Sequence, residues 1–298
     1  MLKIGNIVEL DRDSKTIIFP QLGQNFTTEK MIEGSNFNRF KHLNGSRLVD
    51  SKDQYMDADA QKMFIEKKRK VNDMIYITEK IDGMNAGLLK HKGNFYALNR
   101  KGYDVRSDII YEEDGSINFL FFCWAYWCSE YIARQKTLKD NIFALPDETR
   151  LVFENALLTH SLKYNFKHHD PVFLLAVYSK DKKMNTKYTN YIAKKYNLQR
   201  PPTLATHLAV SPEIIVNQYG KGICGCKENM EGIVYVYETF DQGTKDYRIE
   251  SMAKYVSNTK AGTGVEYPNK FNDFANMKKY LELRRKVLGY WYDTEKSE

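Results

Sequence analysis

From Met74 onward the chain breaks into short apolar, β-branched and aromatic runs separated by glycines and charged residues, and this pattern restricts the fold more than any other feature. Ile75-Tyr76-Ile77, Ala86-Gly87-Leu88-Leu89 and Asn94-Phe95-Tyr96-Ala97-Leu98 follow one another, with Gly83 and Lys92-Gly93 between them. Runs of this kind suit strands, and connections this short join antiparallel neighbours, so hairpins are expected. Further strands are expected at Arg150–Phe153, Val172–Tyr178 and Gly232–Tyr237. The Val172 run is apolar at nearly every position, as a strand buried on both faces requires.

Helices are expected around this core. Asp57–Lys70 has Ala60, Met63 and Phe64 on one helical face, and Asn118–Lys136 reads as a buried helix. Lys187–Tyr196 is expected to turn Tyr188, Tyr191, Ile192 and Tyr196 inward. The tail Asn272–Tyr292 is amphipathic, with Phe274, Met277, Leu281 and Leu288 at helical spacing. Leu2–Pro20 alternates around Ile4, Val8, Ile17 and Phe19 and reads as a short hairpin. The expected class is α+β, an antiparallel core with flanking helices and a helical C-terminal tail. The expected divisions are an N-terminal subdomain over 1–70, a core over 71–260 and the tail over 261–298.

Charge and cysteine content narrow the partners. Lys and Arg number 45 against 38 Asp and Glu, and the formal charge of +7 favours a polyanion. Cys224-Gly225-Cys226 is not a zinc spacing, and Cys123 and Cys128 lie far away in sequence, so reduced thiols are expected. No run approaches the ~20 apolar residues of a membrane span. Met1–Leu10 lacks a basic head followed by an apolar run. A cytoplasmic monomer with no membrane partner is the expectation.

The chemistry is carried by Thr78-Glu79-Lys80-Ile81-Asp82-Gly83-Met84-Asn85, where a lysine ends a strand just before an acid and a glycine. An amine attacks phosphorus only after losing its proton, so such a lysine needs cations nearby. Taken alone, the string is an ordinary charged turn. Downstream, however, Leu98-Asn99-Arg100-Lys101-Gly102 offers a cation, and Phe153-Glu154-Asn155 ends a strand with an acid. His160-Ser161-Leu162-Lys163-Tyr164 follows. Phe173 lies in the apolar Val172 run, and one side chain there could line an adenine slot. Met230-Glu231-Gly232 then puts an acid before a β run, and Arg248–Tyr255 supplies basic residues. A carboxylate at a buried strand end is costly without a partner such as a ribose hydroxyl or a metal.

In this order, the motifs resemble the covalent nucleotidyltransferase superfamily of ATP-dependent DNA ligases, RNA ligases and mRNA capping enzymes. Thr78–Gly83 and Phe153-Glu154-Asn155 with His160-Ser161 are most similar to phage-type RNA ligases. The resemblance covers roughly residues 74–257 and implies an ATP-grasp-like ligase core. It implies that Lys80 carries AMP, that Asp82, Gly83 and Asn85 complete the first motif, and that Glu79 lies beside the adenine or ribose. It makes Arg100 a phosphate contact, Glu154 a ribose ligand, Phe173 a wall of the adenine slot and Glu231 the acid linked to Mg²⁺, with Mn²⁺ as a substitute.

One departure stands out. The family's last motif has two lysines flanking one residue, whereas Arg248-Ile249-Glu250-Ser251 stands where that pair is expected, followed by Lys254. Lys254, assisted by Arg248, is expected to do the phosphate work. The implied reaction is adenylation of a 5′-phosphate end, here of RNA, and sealing to a 3′-hydroxyl, in an RNA-repair enzyme that a phage could encode. Residues 257–298 read as helical and too short for the β-barrel that DNA ligases and capping enzymes usually add, which is an expectation favouring RNA. The alternatives are a DNA ligase and an inactive module of the same fold that binds nucleic-acid ends.

Overall fold

A computed structural model describes residues 2–4, 8–11, 16–19, 24–27, 73–98, 117–118, 139–156, 164, 172–180, 182–207, 211–226, 229–256 and 270–271. The expected helices at 57–70 and 272–292 lie outside the described residues, as does that at 118–136 except for Asn118, which stands in a strand rather than a helix; Arg100, His160, Ser161, Cys123 and Cys128 also lie outside them.

The strands are β1 (Leu2–Ile4), β2 (Val8–Asp11), β3 (Thr16–Phe19), β4 (Gln24–Thr27), β5 (Met74–Lys80), β6 (Met84–His91), β7 (Asn94–Leu98) and β8 (Ile117–Asn118). They continue with β9 (Thr149–Asn155), β10 (Val172–Ser179), β11 (Lys182–Lys183), β12 (Thr203–Thr206), β13 (Gly232–Asp241), β14 (Asp246–Val256) and β15 (Lys270–Phe271). Two α-helices are described, α1 (Thr186–Lys195) and α2 (Pro212–Tyr219).

Two sheets carry the architecture. A nine-stranded sheet runs in the order β1-β2-β3-β4-β7-β6-β9-β10-β11, and a four-stranded sheet in the order β12-β5-β13-β14. The pairings between the described strands are antiparallel except that of β4 with β7. The N-terminal hairpin extends into a four-strand meander, β1 to β4, at the edge of the larger sheet.

One expectation is corrected. β5 and β6 do not form a hairpin: β5 pairs with β12 and β13, whereas β6 pairs with β7 and β9. The chain therefore crosses from one sheet to the other at Ile81-Asp82-Gly83. Gly83 is not among the glycines with positive φ, so the crossing is made without a left-handed residue there. The β6–β7 turn does use one, with Lys92 and Gly93 at φ 49° and 77°.

Alternation explains the smaller sheet. On β5 and β13, Ile75, Ile77, Ile233, Tyr235 and Tyr237 turn to one face, where Leu204, Ile215, Val216, Cys224, Cys226 and Met230 cover them. α2 is placed for this by Pro212 in its first turn and by Gly220, φ 45°, after its end. On the larger sheet β10 is buried on both faces, as its unbroken apolar run requires.

The helix α1 differs from expectation in one respect. Its buried face is Thr186, Thr189, Ile192 and Ala193, continued by Tyr196, whereas Tyr191 is 57% exposed. Asn185 caps it, its side chain accepting from Tyr188 N–H at 2.8 Å. The same junction ties the sheets together. Asn185 Nδ2 donates to Asp246 Oδ1 and to the Tyr247 carbonyl, and Thr186 N–H donates to Glu238 Oε1 at 2.6 Å. Among the described residues no helix is long and apolar enough to cross a membrane.

Candidate active site

The β5 strand ends at the sheet crossing, and its last residue is Lys80. Register places Lys80 opposite Gly232, the first residue of β13. The residue just before that strand, Glu231, is thereby brought to the lysine, and their side chains form an ion pair. Gly232 must be glycine here, since a Cβ would lie 1.9 Å from the Tyr255 carbonyl oxygen of β14. The close approach of the β14 backbone to Gly232 draws Lys254 to the same place. Lys254 pairs with Val234, which pairs with Thr78, and its charge lowers the pKa of Glu231. Burial acts more strongly in the other direction, and the Glu231 carboxyl is held above the usual carboxylate range.

The residues after Lys80 are fixed from below. Asp82 N–H donates to the Tyr164 hydroxyl at 2.7 Å, and Tyr164 is wholly buried. Burial, with Cys226 and Glu231 close by, pushes its phenol well above the usual tyrosine range, so it serves as a neutral hydrogen-bonding group. Asp82 itself is buried, and its charge is felt by Glu231.

Glu79 points the other way from Lys80, as strand alternation demands. Its Oε2 accepts from the N–H groups of Ile223 and Cys224 at 2.8 and 3.1 Å, anchoring the loop after α2. A Cβ at Gly222, φ +72°, would lie 2.4 Å from Glu79 Oε1. Burial raises the Glu79 carboxyl above its usual range, and the two N–H donors offset part of that rise. Cys224 and Cys226 are buried free thiols whose pKa values burial raises, with the Glu79 charge adding to it.

In the larger sheet, Asn85 on β6 pairs with Glu154 on β9, and Glu154 pairs with Phe173 on β10. Paired residues share a face, so the three form one cross-strand row that begins just past the Lys80 crossing. Asn85 and Glu154 are half-buried. Phe173 is fully covered, packed in the core with Tyr164 and Met230, whereas a wall of an adenine slot would need one face of the ring open.

Arg248 is elsewhere. It pairs with Thr239, and its Nε donates to Thr239 Oγ1 at 3.4 Å. Seven residues of β13 separate Thr239 from Gly232, about 24 Å of strand at the usual rise. The β14 positions on the Lys80 face nearest to it are Val256, Lys254 and Met252, and Lys254 alone of these is basic. The structure thus gathers Lys80, Asp82, Glu231 and Lys254 at one point, sets Asn85 and Glu154 beside it, and leaves Arg248 remote. Sequence reasoning missed Tyr164 as a support for the crossing, although it lies in the flagged His160–Tyr164 segment.

Among the described residues no three His, Cys, Asp or Glu side chains converge as a metal cage. A hard divalent cation shared with phosphates needs only one or two carboxylates, and Glu231 and Asp82 are suited to that. The arrangement can do one thing well: present a strand-end amine, a carboxylate and a second amine to a polyphosphate.

The sequence profile of a family described as RNA ligase matches residues 73–256, well over half of the chain. No curated protein sequence matches it significantly. Among solved structures the chain is similar to an apo mutant RNA ligase from Naegleria gruberi, at 14% identity and TM-score 0.42, covering 74% of this chain and 56% of that one. It is similar to a putative ATP-dependent DNA ligase from Aquifex aeolicus, at 15% identity and TM-score 0.40, covering 95% and 64%. It is also similar to an archaeal ATP-dependent RNA ligase, at 14% identity and TM-score 0.38, covering 65% and 44%. The chain spans less than two thirds of the length of each of these, and such loose likenesses carry no residue-by-residue correspondence.

Proposed function

The chain belongs to the RNA ligase family, and we propose that it is an ATP-dependent RNA ligase in which Lys80 becomes covalently attached to AMP. The reading is carried by one observation: Lys80, at the crossing between the sheets, is paired with Glu231 and has Lys254 beside it.

Lys80 Nζ forms a bond to the α-phosphorus of ATP, and the bond from that phosphorus to the bridging oxygen breaks, releasing pyrophosphate with the electron pair. The amine sheds a proton in the process, and Glu231, already hydrogen-bonded to Lys80, is an acceptor in place for it. The phosphoramidate then gives AMP to the 5′-phosphate of a strand, and a 3′-hydroxyl displaces AMP to form the phosphodiester. Glu231 and Asp82 would hold Mg²⁺ or Mn²⁺, which when bound neutralises phosphate charge as each transition state forms. Lys254 adds a cation on the same face. Asn85 and Glu154 lie where a ribose hydroxyl could be held as AMP sits on Lys80.

The test of substrate is a sealing assay on nicked duplexes that differ only in the sugar at the junction. Preference for a ribose-terminated 3′ end supports RNA as substrate. Sealing of all-DNA nicks at equal rate would favour the DNA ligase reading, and no sealing beside intact ATP binding would favour an end-binding module.

A further inference from the structure

α1 turns a stripe of four residues away from the core. Its buried side is Thr186, Thr189, Ile192 and Ala193, and the opposite side carries Lys187, Asn190, Tyr191 and Lys194, spaced i, i+3, i+4 and i+7. All four are exposed, and Tyr191 is more exposed than any other large hydrophobic side chain among the described residues.

Helix stability does not account for this stripe. Lys194 and Lys195 stand in the last turn, where the helix dipole favours cations, but Lys187 stands in the first turn, where it disfavours them. No acid in that turn offsets the charge, and α1 contains no Asp or Glu at all. Lys195 is used within the fold, its Nζ 5.4 Å from the Tyr196 ring centre and 4.0 Å from Asp140 Oδ2. The Tyr191 ring leans on Tyr188, with centroids 6.1 Å apart and planes tilted by 47°, which steadies it while more than half of the residue stays in water. Asn190 Oδ1 accepts from Arg200 Nε at 3.0 Å, so the amide can offer only N–H donors to a ligand. Lys187 and Lys194 lie about 10 Å apart along the axis, with the ring and the amide between them. That combination matches a strand offering phosphates and unstacked bases, and an exposed ring is of use only where bases are unpaired.

The stripe is tied to the Lys80 site by the chain that leaves α1. Leu198 N–H donates to the Ala193 carbonyl and Leu174 N–H to the Gln199 carbonyl, both at 2.7 Å, and Glu79 N–H donates to the Pro202 carbonyl at 2.9 Å. The segment from Tyr196 to Pro202 spans at most about 20 Å. The C-terminal end of α1 is therefore within about six nucleotides of stacked strand from the residue beside Lys80. We infer that the outer face of α1, through Lys187, Asn190, Tyr191 and Lys194, binds an unpaired stretch of the nucleic acid whose end reaches Lys80. Tyr191 stacks on a base, and the two lysines hold phosphates on either side of it. The inference rests on the ligase reading above and adds the form of the substrate to it.

The test is fluorescence anisotropy without ATP, using a 5′-phosphorylated RNA of about 12 nucleotides, twice that span, both single-stranded and as a blunt duplex. Tyr191→Ala should weaken single-strand binding about 5- to 100-fold, and Tyr191→Phe, which keeps the ring, should retain most of the affinity. Lys187→Gln/Lys194→Gln should make the salt slope of single-strand binding shallower by about 1.4, the loss of two phosphate contacts. Duplex binding should not depend on Tyr191. Lysyl-AMP formation from ATP alone, measured alongside, should match wild type in every variant. Single-strand affinity and salt slope unchanged in the variants would overturn the inference, as would duplex binding weakened equally by Tyr191→Ala. So would self-association lost in Tyr191→Ala with RNA binding intact, which would give the face to a second copy of the chain. A wild-type adduct beside unaffected RNA binding in the variants overturns this inference and leaves the ligase reading standing. No wild-type adduct beside weakened single-strand binding in the variants sinks the ligase reading and leaves the strand-binding face standing.

Discussion

The hydroxyl of Tyr164 accepts the backbone N–H of Asp82 at 2.7 Å inside the core. The bond is made where the chain leaves one sheet for the other, immediately after Lys80, so an aromatic residue distant in sequence fixes the direction in which the lysine leaves its strand. Tyr164→Phe keeps the ring and strands the Asp82 donor. Such a loss costs about 1–3 kcal/mol. A lowered melting temperature is expected, together with slower adenylation at saturating ATP. Unchanged values for both would show that the bond does not hold the crossing.

Lys254 and Arg248 offer a contrast within one strand. Lys254 shares the Lys80 face and acts on Glu231, whereas Arg248 is bonded to Thr239 at the other end of the hairpin. Lys254→Ala should slow lysyl-AMP formation on the order of 100-fold, the usual effect of removing one group that stabilises transition-state charge. Arg248→Ala should leave that rate within about threefold, the effect of a remote surface change. Rates measured by rapid quench would contradict this placement if the two effects were reversed.

How much of this was legible in the sequence varies with the physics involved. Strand runs such as Val172–Tyr178 are readable because burial on both faces leaves an apolar string. The strand β14 is not, because its first half, Asp246–Ser251, alternates exposed and half-buried positions, and its second half is half-buried but for Ala253, the only buried position. Its register decides which basic residue meets Lys80, and a motif read linearly puts Arg248 there. The pairing of β5 with β13 rather than β6 is a long-range choice that no local turn pattern reports. Tyr191 was placed inward by its spacing, but Thr186 and Thr189 form the inner face because the helix start is bonded to Glu238 and Asp246 through Thr186 and Asn185.

Glycines at two close approaches should be intolerant. Gly222→Ala would put a Cβ 2.4 Å from Glu79 Oε1 in a left-handed conformation, φ +72°. The backbone conformation alone costs about 1–2 kcal/mol. Gly232→Ala would meet the Tyr255 carbonyl at 1.9 Å and should open the start of β13 beside Glu231. Chemical denaturation is the check, and Gly232→Ala is expected to lose adenylation as well as stability. Wild-type stability in both variants would contradict the packing described.

The buried Glu79 carboxyl predicts a pH signature. Burial raises its pKa in the folded protein above the ordinary 4.5, so the folded state holds its proton to higher pH than the unfolded state. Its contribution to stability therefore falls as pH rises from about 4.5 through the folded value, and then levels off. Glu79→Gln cannot ionise and keeps an oxygen acceptor for the Ile223 and Cys224 N–H groups. The difference in melting temperature, variant minus wild type, should move in favour of Gln across that window. A difference that is flat, or moves the other way, would mean that the carboxylate is fully compensated by its two donors.

The central claim is that Lys80 is the nucleophile, and incubation with α-labelled ATP and Mg²⁺ followed by a denaturing gel tests it most directly. Wild-type protein should carry label that survives denaturation and is shed on addition of 5′-phosphorylated RNA, and Lys80→Ala should carry none. An intact-mass measurement beforehand identifies protein that is already adenylated. Folded, unadenylated wild type that takes up no label with either Mg²⁺ or Mn²⁺, or a Lys80→Ala variant labelled as strongly as wild type, would contradict the account.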